Sequence, residues 1–477
     1  MRTGMMQATA ASIGRAGFHA VEVPIHGIYF KKLVRDLKED PWALARILAR
    51  EMPHAVKSCM GGGGFHPFEP PPPRSMVRLF YQRVAALGAL NRVQTSCNTH
   101  GQIKRLFPWL VPELRELGMK IAFAISYTIS PRHTDEYYAQ KTREVLAFKP
   151  DAIYLKDQGG LLTVDRLRTL LPVILQNAGG ISVELHSHCT TGLAPLLYLE
   201  ALKLGVAILH TAVPPLADGS SQPSVFNIAA NARLLGYVPR IDENELRTAA
   251  ARLTAIAREE RLPIGAPLEY DYGQYIHQVP GGVISNLRHQ LAEMGMLERL
   301  DEVLEESVRV RKELGYPIMI TPHSQFVVSQ AAINVATGER YKVVIDEVIL
   351  FAQGAYSEDS GYTWMDENLK DKLLGLPRAR ELAMRERREA TVAEIRARLG
   401  ANSVSDEEFL LRYIMKGGQE IEAMRAAGAP RQYSGASLPV VTLLKELGKQ
   451  KSLRYVHIRR GPDALALENR SPSRGIH

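Results

Sequence analysis

Apolar and polar positions alternate along the first half of the chain in two rhythms. Short apolar runs at residues 20–23, 55–60, 93–97, 121–127, 152–157, 182–188 and 208–213 have the length and composition of buried strands. Between them, residues 42–51, 77–87, 110–117, 135–148, 164–176, 194–204 and 225–235 carry the 3.6-residue amphipathic period of helices. Glycines follow several of these helices where a left-handed C-terminal residue is needed: Gly88, Gly118, Gly179, Gly205 and Gly236. Strands alternating with helices predict a parallel sheet. Seven or eight such units within about 235 residues predict a closed (β/α)8 TIM-type barrel, an α/β fold. An open doubly wound sheet is disfavoured, because Gly61–Gly64 lacks the GxGxxG spacing of its dinucleotide loop. Only seven strands are visible. Residues 5–15 read as a helix with no strand before it, so the chain is expected to start one strand late or to have lost a strand.

The alternation stops near residue 236. Residues 244–258, 294–314, 341–352, 381–399 and 406–415 read as helices. The expected organisation is a barrel domain over 1–235, a mainly helical C-terminal module over 236–435, and a tail over 436–477. In that tail, 434–439 reads as a linker, 443–460 as a short helix and strand, and the last residues as disordered. The loop Gly61–Gly64 with Pro70–Pro73 reads as flexible surface chain. It cannot be a P-loop, because no Gly-Lys-Ser/Thr follows.

Composition narrows the class. With 477 residues, 45% apolar and 23% charged, the chain can bury a large core. No apolar run approaches the ~20 residues of a membrane span, and no secretory leader pattern opens the chain. Three scattered cysteines (Cys59, Cys97, Cys189) suit a reducing, cytoplasmic setting and exclude a disulfide framework or a CxxC zinc knuckle. The net charge of +8 lies partly in Lys449, Lys451, Arg454, Arg459 and Arg460. With no nucleic-acid-binding motif beside them, these read as a solvated face.

Candidate chemistry sits at the C-terminal ends of the strands, where barrel enzymes place it. His186 and His188 are separated by one residue at the end of a strand, so both imidazoles face one side and form a pair suited to a metal. Lys156 ends the preceding strand beside Asp157. It reads either as an ion-pair partner of Asp157 or another acid, or as a ligand once carbon dioxide has turned its amine into a carbamate. Spacing leaves both readings open.

Residues 154–160 (YLKDQGG), 186–192 (HSHCTTG) and 218–224 (DGSSQPS) resemble the carboxyltransferase family of biotin-dependent enzymes. That family includes pyruvate carboxylase, the oxaloacetate decarboxylase alpha subunit and the transcarboxylase 5S subunit. Residues 125–138 (ISYTISPRHTDEYY), 278–290 (QVPGGVISNLRHQ) and 338–343 (GERYKV) extend the resemblance over roughly residues 1–400. The resemblance implies a divalent metal, zinc or else manganese or cobalt, held by His186, His188 and a carbamylated Lys156. It implies that Ser220, standing where a threonine is common, shuttles a proton between biotin and substrate. Cys189 matches the HSHCT of the decarboxylase and transcarboxylase branch and reads as a small packed side chain.

Several departures bear on activity. The family's first strand, with an Asp ligand and a substrate-contacting Gln, has no counterpart, and Cys59-Met60-Gly61 stands where a substrate-binding Arg is usual. The fourth-strand pattern Arg-Ile-Phe-Asp is replaced by Gln94-Thr95-Ser96-Cys97. No Ala-Met-Lys-Met is present, since Glu422-Ala423-Met424-Arg425 carries Arg in the acceptor position. Biotin would therefore arrive on a separate carrier protein. The expected function is a metal-dependent carboxyltransferase or decarboxylase subunit acting on a small 2-oxo acid. Its partners would be a biotin carboxyl carrier protein and a biotin carboxylase subunit, in a homo-oligomer without nucleic acid or membrane insertion. The alternatives are a non-catalytic partner subunit of a carboxylase, or a metal-dependent acyl lyase or aldolase of the same superfamily.

Overall fold

The structure is a computed structural model. It describes residues 1–433 apart from 62–71, 100, 357–363 and 385–388, and beyond these 443, 447, 455–460 and 463–468. The loop expected at Gly61–Gly64 and Pro70–Pro73, the linker at 434–439 and the last residues thus fall largely outside the described residues.

Seven parallel strands follow one another in chain order: β1 (Val21–Glu22), β2 (Lys57–Met60), β3 (Arg92–Ser96), β4 (Lys120–Ser126), β5 (Ala152–Asp157), β6 (Val183–Ser187) and β7 (Ile208–Leu209). Each pairs with the next and the sheet curls into a half-barrel whose edges are β1 and β7. The seven strands expected are therefore present, and among the described residues no eighth closes the ring. The last strand is shorter than the run 208–213. After Leu209 the chain keeps only one isolated bridge, Ala212 to Ser224, because no further strand supports β7 on its outer side.

Period-2 alternation sorts the strand side chains. Val93, Ile121, Phe123, Ile125, Ile153, Leu155, Val183 and Leu185 face outward into the main apolar core shared with the surrounding helices. The alternate residues line the inside: Ser58, Arg92, Gln94, the cluster Ala122, Ala124, Ala152 and Tyr154, then Lys156, Glu184 and His186. Both sheet faces are buried, but the outer one is apolar throughout and the inner one mixes a small apolar cluster with polar and charged side chains. Helices begin where the sequence offers an N-cap. Thr134 Oγ1 accepts from Tyr137 N to start Asp135–Val145, and Thr163 Oγ1 accepts from Arg166 N to start Val164–Asn177.

A second apolar core lies within the C-terminal helices Gly281–Glu293, Leu300–Glu313, His323–Thr337, Asp346–Ala352 and Glu367–Gly375. It is joined to the half-barrel through polar contacts: Gln278 Oε1 accepts from Thr128 Oγ1 and Ile129 N at 3.1 Å, and Arg311 Nη2 donates to Thr128 Oγ1 at 2.9 Å. The helices Val392–Arg398, Asp406–Met415 and Gln419–Ala426 instead send Ile395, Phe409, Ile414 and Ile421 into the main core. Trp42 Nε1 donates to Glu407 O at 3.0 Å on that face.

Several helices differ from their expected bounds, for local reasons. The helix expected at 341–352 starts at Asp346, since Tyr341 sits at φ 55°, incompatible with a right-handed helix. The one expected at 294–314 starts at Leu300, after Gly295 at φ 67°. The stretch 381–399 is divided between Pro377–Ala383 and Val392–Arg398, the latter begun by a capping box of Thr391 and Glu394. Of the helix and strand expected at 443–460, the described residues 443 and 447 are helical and Tyr455–Arg460 forms a strand, β8, which pairs antiparallel with β9 (Asp463–Glu468).

Candidate metal centre at the strand ends

Lys156 and His186 stand side by side across the β5–β6 ladder, in register with each other. Both point inward and both are 9% exposed. Asp157, one residue on, faces the opposite way. Its carboxylate accepts from Leu161 N at 2.7 Å, Leu162 N at 3.0 Å and Ser187 Oγ at 2.9 Å, and so builds the loop after β5. The ion pair of Lys156 with Asp157 is excluded by this strand alternation. Lys156 Nζ lies instead 2.5 Å from Met60 Sδ, a thioether at the position of Cys59-Met60-Gly61. Burial pushes the lysine pKa below its ordinary value, and the charge of Glu22 opposes the shift.

His188 lies one residue beyond β6 and is held there by its N–H, which donates to Asp157 O at 3.0 Å. Its Nδ1 donates to Ser220 O at 2.6 Å. His186 Nδ1 is 3.2 Å from His210 Nδ1, and the rings of His186 and His188 are 5.1 Å apart. The Nε2 atoms of both rings meet the same group, the side-chain nitrogen of Gln222, at 3.3 and 3.0 Å. Burial lowers both histidine pKa values, His186 further than His188, which falls to about 4. Both rings are thus neutral, with lone pairs aimed at one place.

Ser220 is exposed, on the loop that also carries Gln222. Its backbone carbonyl holds His188, and its Cβ lies against Gly281 at the start of the helix Gly281–Glu293. A Cβ on Gly281 would lie 2.7 Å from Ser220 Cβ and 3.0 Å from Thr190 Cγ2. Gly281 of the QVPGG stretch therefore lets this helix start against the site.

Four further residues belong to the arrangement and were not singled out from the sequence: Arg92, Glu184, His210 and Gln222. Glu184, fully buried, accepts from Arg92 Nη2 at 2.8 Å with each oxygen and lies 2.8 Å from His210 Nε2. Burial would raise the Glu184 pKa, but the hydrogen bond from His210 and the Arg92 charge outweigh it and hold the carboxyl below its usual range. The signals were present in outline: Glu184 shares the inward parity of His186, His210 falls in the run 208–213, and Gln222 sits inside DGSSQPS.

Among the described residues no group of three or more His, Cys, Asp or Glu is placed to hold a metal. What is present is two neutral imidazoles converging on one carboxamide nitrogen, beside a buried lysine whose depressed pKa favours the neutral amine. That donor set fits a divalent cation if Lys156 contributes as a carbamate, and it fits with Gln222 displaced from between the rings.

A half-barrel of parallel strands, with buried imidazoles and an amine at the strand ends, defines a TIM-barrel-type protein built for polar chemistry at its mouth. Residues 275–448 match the family model described as the conserved carboxylase domain. The chain is 33% identical over 368 residues to a pyruvate carboxylase subunit of Methanocaldococcus jannaschii, covering 75% of this chain and 62% of the relative. It is 31% identical over 420 residues to the 2-oxoglutarate carboxylase large subunit of Hydrogenobacter thermophilus, covering 86% and 63%. It thus spans a little under two thirds of the length of these relatives. The fold matches that of the carboxyl transferase domain of Rhizobium etli pyruvate carboxylase, with TM-score 0.76, 22% identity, and 99% of this chain and 81% of that one covered. The chain is thus similar over most of its length to carboxylase subunits, and residues 275–448 carry the conserved carboxylase domain.

Proposed function

We propose that this chain is a carboxyltransferase subunit that moves a carboxyl group between biotin on a separate carrier protein and a small 2-oxo acid. The observation that carries the reading is the convergence of His186 and His188 Nε2 beside the buried amine of Lys156. His186, His188 and carbamylated Lys156 would hold the divalent ion, zinc or else manganese or cobalt. Such an ion supplies a Lewis acid for the 2-oxo group and so favours loss of a proton or carboxyl group from the neighbouring carbon.

The chain's own residues divide the remaining work. A neutral Lys156 amine attacks carbon dioxide, forms the N–C bond and releases a proton, which burial of the amine favours. The Ser220 hydroxyl takes the proton from the substrate carbon and returns it to the biotin nitrogen that gives up the carboxyl group. Serine lacks the methyl that narrows the rotamers of threonine, so this hydroxyl is held less tightly. Arg92 does not clamp the substrate carboxylate, because Glu184 already occupies it deep inside the barrel. The partners would be a biotin carrier protein and a biotin carboxylase subunit, in a cytoplasmic homo-oligomer. The barrel over 1–235, the helical module over 236–435 and the tail are proposed as its domains, with the helices between 392 and 426 packed back into the barrel's core. Among the described residues no helix is long and apolar enough to cross a membrane.

A second reading, a non-catalytic partner of a carboxylase, is favoured by the Gln222 amide lying between the two imidazoles and by Met60 facing Lys156. The two readings separate on metal content and carboxyl transfer. The purified protein should hold one divalent ion per chain and exchange carboxyl groups with a biotinylated carrier, and His186→Ala should lose both. Full metal retention by His186→Ala would reject the assignment.

A further inference from the structure

Arg92, Glu184, His210 and His186 form one continuous hydrogen-bonded line inside the half-barrel, and its chemistry has a direction. A carboxylate only accepts. Glu184 accepts from Arg92 Nη2 at 2.8 Å and therefore takes its second hydrogen bond from His210 Nε2–H, also at 2.8 Å. An imidazole whose one proton is on Nε2 has a bare Nδ1. That bare nitrogen faces His186 Nδ1 at 3.2 Å, which must then carry the hydrogen.

We propose that His210, anchored by Glu184, is a positioning residue that fixes the His186 proton on Nδ1 and leaves Nε2 as an electron-pair donor toward the mouth of the barrel. The other side of the ring agrees independently. Gln222 presents an amide nitrogen, which only donates, to the Nε2 of His186 at 3.3 Å and of His188 at 3.0 Å. Both rings are thus tied at Nδ1, His186 to His210 and His188 to the Ser220 carbonyl, so that both Nε2 atoms face one point. The assignment deepens the proposed metal site and rests on it for its purpose, but the tautomer is a property of the metal-free protein. A buried carboxylate, an imidazole and a ligand imidazole in series extend the carboxylate–histidine support common behind metal ligands.

The test uses the full-length, isotope-labelled, metal-free protein and long-range proton–nitrogen correlation of the histidine rings, with His186 assigned by comparison with His186→Gln. His186 should carry its proton on Nδ1; a proton on Nε2 overturns the proposal without any further variant. His210→Leu should shift His186 toward the Nε2–H form and weaken Zn²⁺ binding about 10–100-fold. His210→Gln can still accept from His186 through its carbonyl and donate to Glu184 through its amide, and should recover most of that loss. Unchanged Zn²⁺ affinity in His210→Leu, or a Gln variant as impaired as the Leu variant, overturns the proposal. Should His210→Leu fail to fold, the wild-type tautomer and the Gln variant still decide. A wild-type protein that takes up no Zn²⁺ yet shows His186 Nδ1–H would sink the metal reading and leave this one standing.

Discussion

The contact between Gly281 and Ser220 links packing to chemistry, and a single methyl group tests it. In Gly281→Ala the new Cβ would sit 2.7 Å from Ser220 Cβ, 3.0 Å from Thr190 Cγ2 and 3.4 Å from Ser220 Cα. Unstrained carbon pairs rest at about 3.5–4.0 Å, so helix and loop must part by roughly 1 Å. The Ser220 Cα and Cβ are fixed by the backbone, so no side-chain rotation can relieve the closest contact. Overpacking of this kind costs about 1–3 kcal/mol. The larger consequence is positional. The Ser220 carbonyl holds His188 Nδ1 at 2.6 Å, so a shifted loop misaims the His188 lone pair. Gly282 is the built-in control, because a Cβ there meets nothing within 4 Å. Urea unfolding and Zn²⁺ titration of both variants form the assay. Gly281→Ala should lower the unfolding midpoint and weaken Zn²⁺ binding, whereas Gly282→Ala should gain about 0.5–1 kcal/mol from helix propensity and bind Zn²⁺ normally. Equal behaviour of the two variants would refute the argument that the helix start buttresses the site.

Gln222→Glu would place a carboxylate oxygen where an amide nitrogen now meets both Nε2 atoms, and should tighten Zn²⁺ binding on the order of tenfold; calorimetry showing no gain would count against a cation at that point. In the second core, His323 is buried against Phe326, Phe351 and Tyr356, and burial lowers its pKa to about 4. The unfolded chain protonates this histidine first, so stability is full above pH ~6.5 and falls by about 3 kcal/mol as the pH drops to ~4. The difference in stability between the wild type and His323→Phe should carry that pH dependence, and a difference constant from pH 7 to 4 would disprove it.

Much of the architecture was legible along the chain because its causes are local. Apolar runs of strand length, amphipathic helices and glycines at helix ends depend on neighbours within a few residues, and they placed all seven strands. The same locality explains the misplaced helix starts. Tyr341 adopts a left-handed conformation that its residue type does not announce, whereas Gly295 announced a break that the apolar period overrode. The pair His186 and His188 was visible because one-residue spacing at a strand end dictates a shared face. Alternation sets Lys156 and Asp157 on opposite faces of the strand, but which of the two faces the interior needed the strand's true phase.

Sequence alone determined which side chains of a strand share a face, since alternation along a strand is covalent geometry. Only the tertiary structure decided which of them meet. Arg92 reaches Glu184 across 92 positions, His210 reaches His186 across 24, and Gln222 closes on both imidazoles from a loop 34 and 36 positions away. Those meetings follow from sheet register and from the curl of seven strands. Both are set by the packing of the whole outer core, and no short stretch of sequence encodes them.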